Sequence, residues 1–287
     1  MMERIIIACA TDSNFIVHTA AMICSLVEHT NSKIDIYIMY SEPIVENIKS
    51  LEKTFNNLLI KLVRVDQSKF KNYKLSNRIN EVSYYRLLLG NIIPEEINKV
   101  IYLDSDLIVF DDIKKLWDID LYNKIVGAVP DVGQHTRYVS SNRAIALYKE
   151  LNIPEHSLYF NAGVLIINLE RWRNEKIADV INDYLQKNKE YVNFHDQDGL
   201  NAILWNKWYR IDYSWNVITD FFEDCGFCIE EIGLNKYRKI TNCPKIVHFT
   251  SRHKPWHDKN EHMYKKIYMM YEERARKALK DNDYSMS

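Results

Sequence analysis

No stretch of this 287-residue chain approaches the ~18 consecutive apolar residues that a membrane-spanning helix needs. No charge of one sign dominates either. The 38 Lys plus Arg face 39 Asp plus Glu, so global charge selects neither nucleic acid nor an anionic membrane as partner. A phosphate-bearing ligand must then be held locally. Cysteine is sparse: Cys9, Cys24, Cys225, Cys228 and Cys243 are odd in number and scattered, without the density of a disulfide scaffold. A secretory leader is not visible, because the apolar run Ile5–Ala10 is short and Asp12 follows at once. Residues 8–18 contain no Gly, Lys or Arg, which argues against a triphosphate-cradling loop of the nucleotidyltransferase kind. Internal repeats and low-complexity tracts are missing too. What remains is a globular composition, 47% hydrophobic and 27% charged, and the expectation of a cytoplasmic, reduced protein.

What is present begins as alternating strands and helices. Arg4–Ala10 is an apolar, β-branched run closed by Thr11-Asp12-Ser13-Asn14, a cluster of capping and turn residues. Ile16, Ala20, Ile23 and Val27 carry a helical spacing, Ile34–Tyr40 reads as a second strand, Ile44–Phe55 as a helix and Leu58–Val65 as a third strand. This order predicts a doubly wound α/β sheet, which binds ligands beyond the carboxyl ends of its strands. The first such end is residues 10–14.

Val100–Phe110 is the most informative stretch. Two aspartates, Asp104 and Asp106, stand between runs of large apolar side chains. If the segment is one buried strand, residues i and i+2 point the same way and the two carboxylates share a side. Paired like charges beside a core call for a compensating cation, and oxygen ligands suit Mg²⁺ or Mn²⁺. The competing reading is an Asp-Ser-Asp turn between two strands.

Further stations follow. Ser83–Gly90 looks helical and carries Arg86, a residue that in such a setting is usually an ion-pair partner. Val126–Asp131 is a strand with a polar end; positions 133–157 read as a lid-like segment with a helix around Ala144–Leu151. Tyr159–Leu169 is a second long buried strand opened by Asn161-Ala162-Gly163, and Arg171–Gln186 is helical. His195-Asp196-Gln197-Asp198 packs more polar groups at a helix front than an N-cap with acidic first-turn residues explains. Lys245–Thr250, with His248, is a short strand leading to Lys254-Pro255-Trp256, and residues 258–284 turn helical with a stripe of Tyr264, Ile267, Tyr268, Tyr271, Ala275 and Leu279.

Taken together, Tyr102-Leu103-Asp104-Ser105-Asp106, Phe160-Asn161-Ala162-Gly163-Val164, His195-Asp196-Gln197-Asp198 and His248 before Lys254-Pro255-Trp256 resemble the family 8 glycosyltransferases, especially their bacterial lipooligosaccharide and lipopolysaccharide branch. The likeness spans about residues 3–257. It implies a retaining enzyme of the GT-A fold: a Rossmann-like, mostly parallel central sheet flanked by helices, with residues 1–257 as catalytic domain and 258–287 as a C-terminal helical tail. It implies Mn²⁺, with Mg²⁺ as the substitute, held by Asp104, Asp106 and His248. Ala10, Asp12, Asn14 and Ser105 would lie at the nucleotide, Lys254 at the diphosphate, and Arg86, Asn161 and Gly163 around the donor sugar. Asp131 would face the acceptor, Asp196 the sugar hydroxyls and Gln197 the anomeric carbon. The partners implied are a UDP-hexose donor, glucose or galactose, and a saccharide or glycolipid acceptor; nucleic acid is not among them, and membrane contact is at most peripheral, at the inner face.

One position departs from the family pattern. Where a glycine usually precedes Lys-Pro-Trp, this chain has Ser251 followed by Arg252, and serine suits close backbone approach less well. Two other readings stand beside the enzyme: a non-catalytic UDP-sugar-binding or scaffold protein on the same fold, and a zinc site or redox pair at Cys225-x-x-Cys228 with Cys243 and His248, whose spacing is not that of usual zinc sites.

Overall fold

The computed structural model describes residues 4–41, 43–70, 73–74, 81–223 and 225–280. Among these, the strands run in chain order as β1 (Ile5–Ala10), β2 (Ile34–Tyr40), β3 (Leu58–Arg64), β4 (Lys99–Leu103) and β5 (Leu107–Val109). They continue as β6 (Val126–Pro130), β7 (Phe160–Asn168), β8 (Trp208–Arg210), β9 (Val217–Ile218) and β10 (Ile246–His248). The chain divides into two compact units, one of residues 1–64, 103–119 and 214–287, the other of residues 65–102 and 120–213.

In the first unit β1, β2 and β3 are parallel neighbours, with Ile5 opposite Ile34 and Ile34 opposite Leu58. Every residue of β1 is buried, which is why its sequence is an unbroken apolar run rather than an alternating one. The helix Ile16–Glu28 that follows is buried from His18 to Val27. Against it packs the C-terminal helix Lys265–Lys280, which buries Tyr268, Tyr271, Ala275 and Ala278, close to the stripe read from the sequence. A second, three-stranded sheet has the order β5-β10-β9, with β10 antiparallel to β5 and parallel to β9.

The second unit contains β4 up to Tyr102 and the run β7-β6-β8, with β6 antiparallel to β7 and parallel to β8. The helices Leu169–Asn174, Ile177–Lys187 and His195–Leu204 belong to it. A Cβ on Gly199 would come within 2.8 Å of Ile181 Cγ2, so glycine is what lets the last two of these helices approach. The register of β6 against β7 slips between Ala128, opposite Leu165, and Val129, opposite Asn161. That irregularity falls on the Asn161-Ala162-Gly163 step. Bulges of this kind bend a strand and re-aim its side chains.

A mostly parallel sheet flanked by helices, with a helix at the C-terminal end, is what the sequence predicts. Three local expectations are corrected. Val100–Phe110 is not one strand: it breaks at Asp104-Ser105-Asp106, and β5 joins the small sheet. Ala144–Leu151 forms successive turns rather than a helix, because Ser141 Oγ takes the Tyr138 N–H at 3.0 Å and the Ile145 N–H returns to Val139 O at 2.9 Å. Arg171–Gln186 lies in two helices, separated at Lys176 by a left-handed residue of φ 50°. Among the described residues no helix is long and apolar enough to cross a membrane.

Candidate active site

The first unit assembles Asp104, Asp106 and His248 so that one ligand atom from each lies within 4.8 Å of the others. The local cause is Ser105. It donates its hydroxyl to Ala10 O at 2.8 Å and lies 2.8 Å from the Thr19 hydroxyl, itself 2.8 Å from that of Thr11. The middle residue of the triplet is thus drawn into a buried group of hydroxyls, while its two neighbours meet the imidazole. His248 Nε2 is 3.1 Å from Asp106 Oδ1 and 3.7 Å from Asp104 Oδ2. On its other side His248 Nδ1 meets Asn216 Oδ1 at 3.0 Å, and Asn216 is 1% exposed. An amide oxygen there accepts the Nδ1 proton, which turns Nε2, the nitrogen a metal would use, toward the carboxylates.

The sheet sets the spacing. His248 stands opposite Leu107 on β5, and the Phe249 N–H donates to Asp106 O at 3.0 Å. Lys254 Nζ reaches Asp106 Oδ2 at 2.6 Å and Phe249 O at 2.5 Å. Burial alone would push the Asp106 carboxyl up; the Lys254 ammonium and the His248 imidazole outweigh it and hold the group well below the usual carboxylate range. Two carboxylate oxygens and one oriented imidazole nitrogen are a donor set suited to Mn²⁺ or Mg²⁺. The residues fit the ion that the sequence implies. Among the described residues no cysteine joins this group, and His248 is engaged with Asn216 and the two aspartates; the Cys225 side chain of the zinc reading lies outside the described residues.

The residues at the end of β1 are mostly used by the backbone. Asp12 Oδ1 accepts the N–H groups of Asn14 at 2.9 Å and Phe15 at 3.0 Å, an Asx-type turn that opens the following helix. The Asn14 side chain is exposed, and Ala10 offers its carbonyl to Ser105. Ser251 donates its N–H to Thr219 Oγ1 at 3.3 Å. Left-handed backbone occurs among the described non-glycine residues at Tyr122, Asn152, Lys176 and His195, not at Ser251. Its backbone therefore does not demand glycine.

The second unit gathers Arg86, Asn161, Gly163, Asp196 and Gln197, with Asp131 beside them. Arg86 Nε pairs with Asp196 Oδ2 at 2.9 Å, both side chains buried, and the guanidinium lies 4.5 Å from the Tyr102 ring centroid. The slipped step of β7 is gripped from two sides: Gln197 Oε1 accepts the Ala162 N–H at 2.9 Å, and Arg86 donates to Ala162 O. Asn161 Oδ1 accepts the Gly163 N–H at 3.0 Å. Asp131 accepts from the Gly133 N–H at 2.9 Å and the Thr136 hydroxyl at 2.7 Å, with Asn161 Nδ2 at 3.4 Å.

Several structural partners went unread in the sequence. Asp198 reaches back to the Asn193 and Phe194 N–H groups at 2.6 and 2.8 Å and accepts the Tyr159 hydroxyl at 2.7 Å. These bonds hold the turn at which His195 takes φ 54°. Burial pushes the Asp198 carboxyl up to about 6 against those three hydrogen bonds. Asn201 clamps Phe160 through both backbone groups, at 2.8 and 2.9 Å. The acidic first turn was the available signal for Asp198; Asn201, Asn216 and Thr19 carried none.

Comparison with known proteins follows the same lines. The family model described as glycosyl transferase family 8 matches residues 6–260. General stress protein A of Bacillus subtilis is 32% identical over 273 residues, covering 93% of this chain and 92% of that protein. The lipopolysaccharide 1,2-glucosyltransferase of Escherichia coli is 24% identical over 261 residues, 89% of this chain and 73% of its own. Among solved structures, galactosyltransferase LgtC in complex with donor and acceptor sugar analogs superimposes with a TM-score of 0.78 at 25% identity, covering 94% of this chain and 96% of that one.

Proposed function

The chain belongs to glycosyl transferase family 8, and from that premise we propose that it moves glucose or galactose from UDP to a carbohydrate or lipid-linked saccharide with the anomeric configuration retained. The observation that carries this reading is the convergence of Asp104, Asp106 and His248 on one point beside Lys254. These three side chains would hold Mn²⁺, or Mg²⁺ in its place. When bound, the ion supplies Lewis-acid stabilisation of the diphosphate leaving group. Lys254 would add a positive charge to the same diphosphate, and Ala10, Asp12, Asn14 and Ser105 would bound the nucleotide.

On the sugar side, Asp196 would accept hydrogen bonds from donor hydroxyls, its orientation fixed by Arg86, with Asn161 and Gly163 alongside. Gln197 presents a carboxamide oxygen already holding the Ala162 N–H. That oxygen keeps a second lone pair for positive charge developing on the sugar. A carboxamide is a poor nucleophile, and a covalent glycosyl intermediate needs a carboxylate at the sugar's face. Attack by the acceptor hydroxyl on the face the phosphate leaves, with the phosphate taking the proton, therefore suits these residues better. Asp131 would orient that acceptor.

UDP release from UDP-glucose and UDP-galactose, with Mn²⁺ and with chelator, beside an Asp106→Ala control, tests the reading. Release that needs both metal and Asp106 supports it, and the faster donor names the sugar. Metal-dependent UDP binding without release means that cleavage waits for the acceptor. Neither release nor binding would favour a scaffold on the same fold.

A further inference from the structure

Four contacts outside the proposed ligand set fasten the segment that carries Lys254. The His18 ring lies face to face with the Trp256 indole, ring centroids 3.6 Å apart and planes 11° apart. Phe15 meets the same indole edge-on at 5.7 Å. His18 Nδ1 is 2.5 Å from the hydroxyl of Tyr268, which lies on the C-terminal helix and tilts against the indole at 5.4 Å. His18 and Tyr268 are buried, at 7% and 0% exposure. Burial, aided by the positive charge of Arg276, lowers the His18 pKa to about 4, so at neutral pH the ring stacks without adding a cation near Lys254.

Trp256 stands two residues after Lys254, with Pro255 between them, and Pro255 is buried. A proline fixes its own φ, so holding the indole leaves the lysine backbone little freedom. We infer that His18 and Trp256 are positioning residues, and that their stack, anchored to the C-terminal helix through Tyr268, aims the Lys254 ammonium at the diphosphate site. The inference rests on the proposed function. It makes the C-terminal helix, which supplies none of the proposed metal ligands, part of donor recognition.

The test uses the full-length chain, Mn²⁺ with UDP, and uridine as a ligand without phosphate. His18→Ala and Trp256→Ala should each weaken UDP binding about tenfold, the upper range for one lost aromatic pair, while uridine affinity stays within about twofold. His18→Phe, which keeps a stacking ring, should recover most of the loss. In a Lys254→Ala background neither alanine change should weaken UDP further, because the lysine through which they act is gone. Equal losses for UDP and uridine, or full losses in the Lys254→Ala background, would overturn the inference. Wild-type binding of UDP matched by both alanine variants removes the positioning role alone. Failure of the wild type to bind UDP with Mn²⁺ removes the donor-site reading, and the positioning role with it.

Discussion

Replacing Arg86 by Met tests whether the buried pair in the second unit is a structural necessity. Arg86 and Asp196 are 6% and 4% exposed, and their ion pair spans 2.9 Å. Met keeps much of the stem that lies over Tyr102 but removes the charge, the hydrogen bonds to Ser83 O and Ala162 O, and the partner of a buried carboxylate. Breaking one side of such a pair costs about 3–5 kcal/mol, whereas an exposed pair is worth about 0–1 kcal/mol. Urea unfolding of the variant, with the midpoint and slope compared with wild type, should read the larger figure. Adding Asp196→Asn should return more than half of it, because the stranded charge is gone. That double variant should be stable and without transferase activity. A loss below about 1 kcal/mol from Arg86→Met, or the same loss in both backgrounds, would refute the argument that the pair is coupled and desolvated.

Three other outcomes are expected. Asn216→Leu removes the acceptor that orients His248, and should weaken metal binding by about 10- to 100-fold in a titration calorimeter. Gln197→Ala should lower kcat more than it raises KM for the donor, because its proposed contact matters most as charge develops; equal losses would count against that role. Asp198 has a folded pKa of about 6 against 3.8, so the fold binds its proton more tightly than the unfolded chain does. Its contribution is therefore complete below pH ~4 and is lost as pH rises through ~6. The stability difference between wild type and Asp198→Asn, measured by urea unfolding from pH 4 to 7, should shrink by roughly 3 kcal/mol over that window.

The sequence announced the chemistry of the first site better than its geometry. Asp104 and Asp106 stood out because paired carboxylates beside a core need a cation. The break between β4 and β5 did not, because the Ser105 hydroxyl that draws the turn inward bonds to Ala10, 95 residues away. Arg86 was legible as an ion-pair partner by type, but its partner Asp196 was not, since nothing local links the two. The Ala144–Leu151 segment misled in the opposite direction. Its apolar spacing is helical, yet Ser141 and the left-handed Asn152 turn the backbone before a helix can propagate. Strands β8 and β9 are too short, at 3 and 2 residues, to carry a periodic signal at all.

The ladder between β5 and β10 has a last consequence. Asp106 and His248 are 142 residues apart in the chain, yet their separation in space is decided by which residue of one strand faces which of the other. A slip of one residue would turn His248 to the opposite face of the sheet and take the imidazole away from both carboxylates. Changing the length of a loop between paired elements leaves that register untouched. The Asp104, Asp106 and His248 set should thus tolerate insertions in such loops and not a single added residue inside β5, β10 or the β9 strand that flanks it, so tolerance to length change should map onto the pairing pattern and not onto distance from the metal ligands.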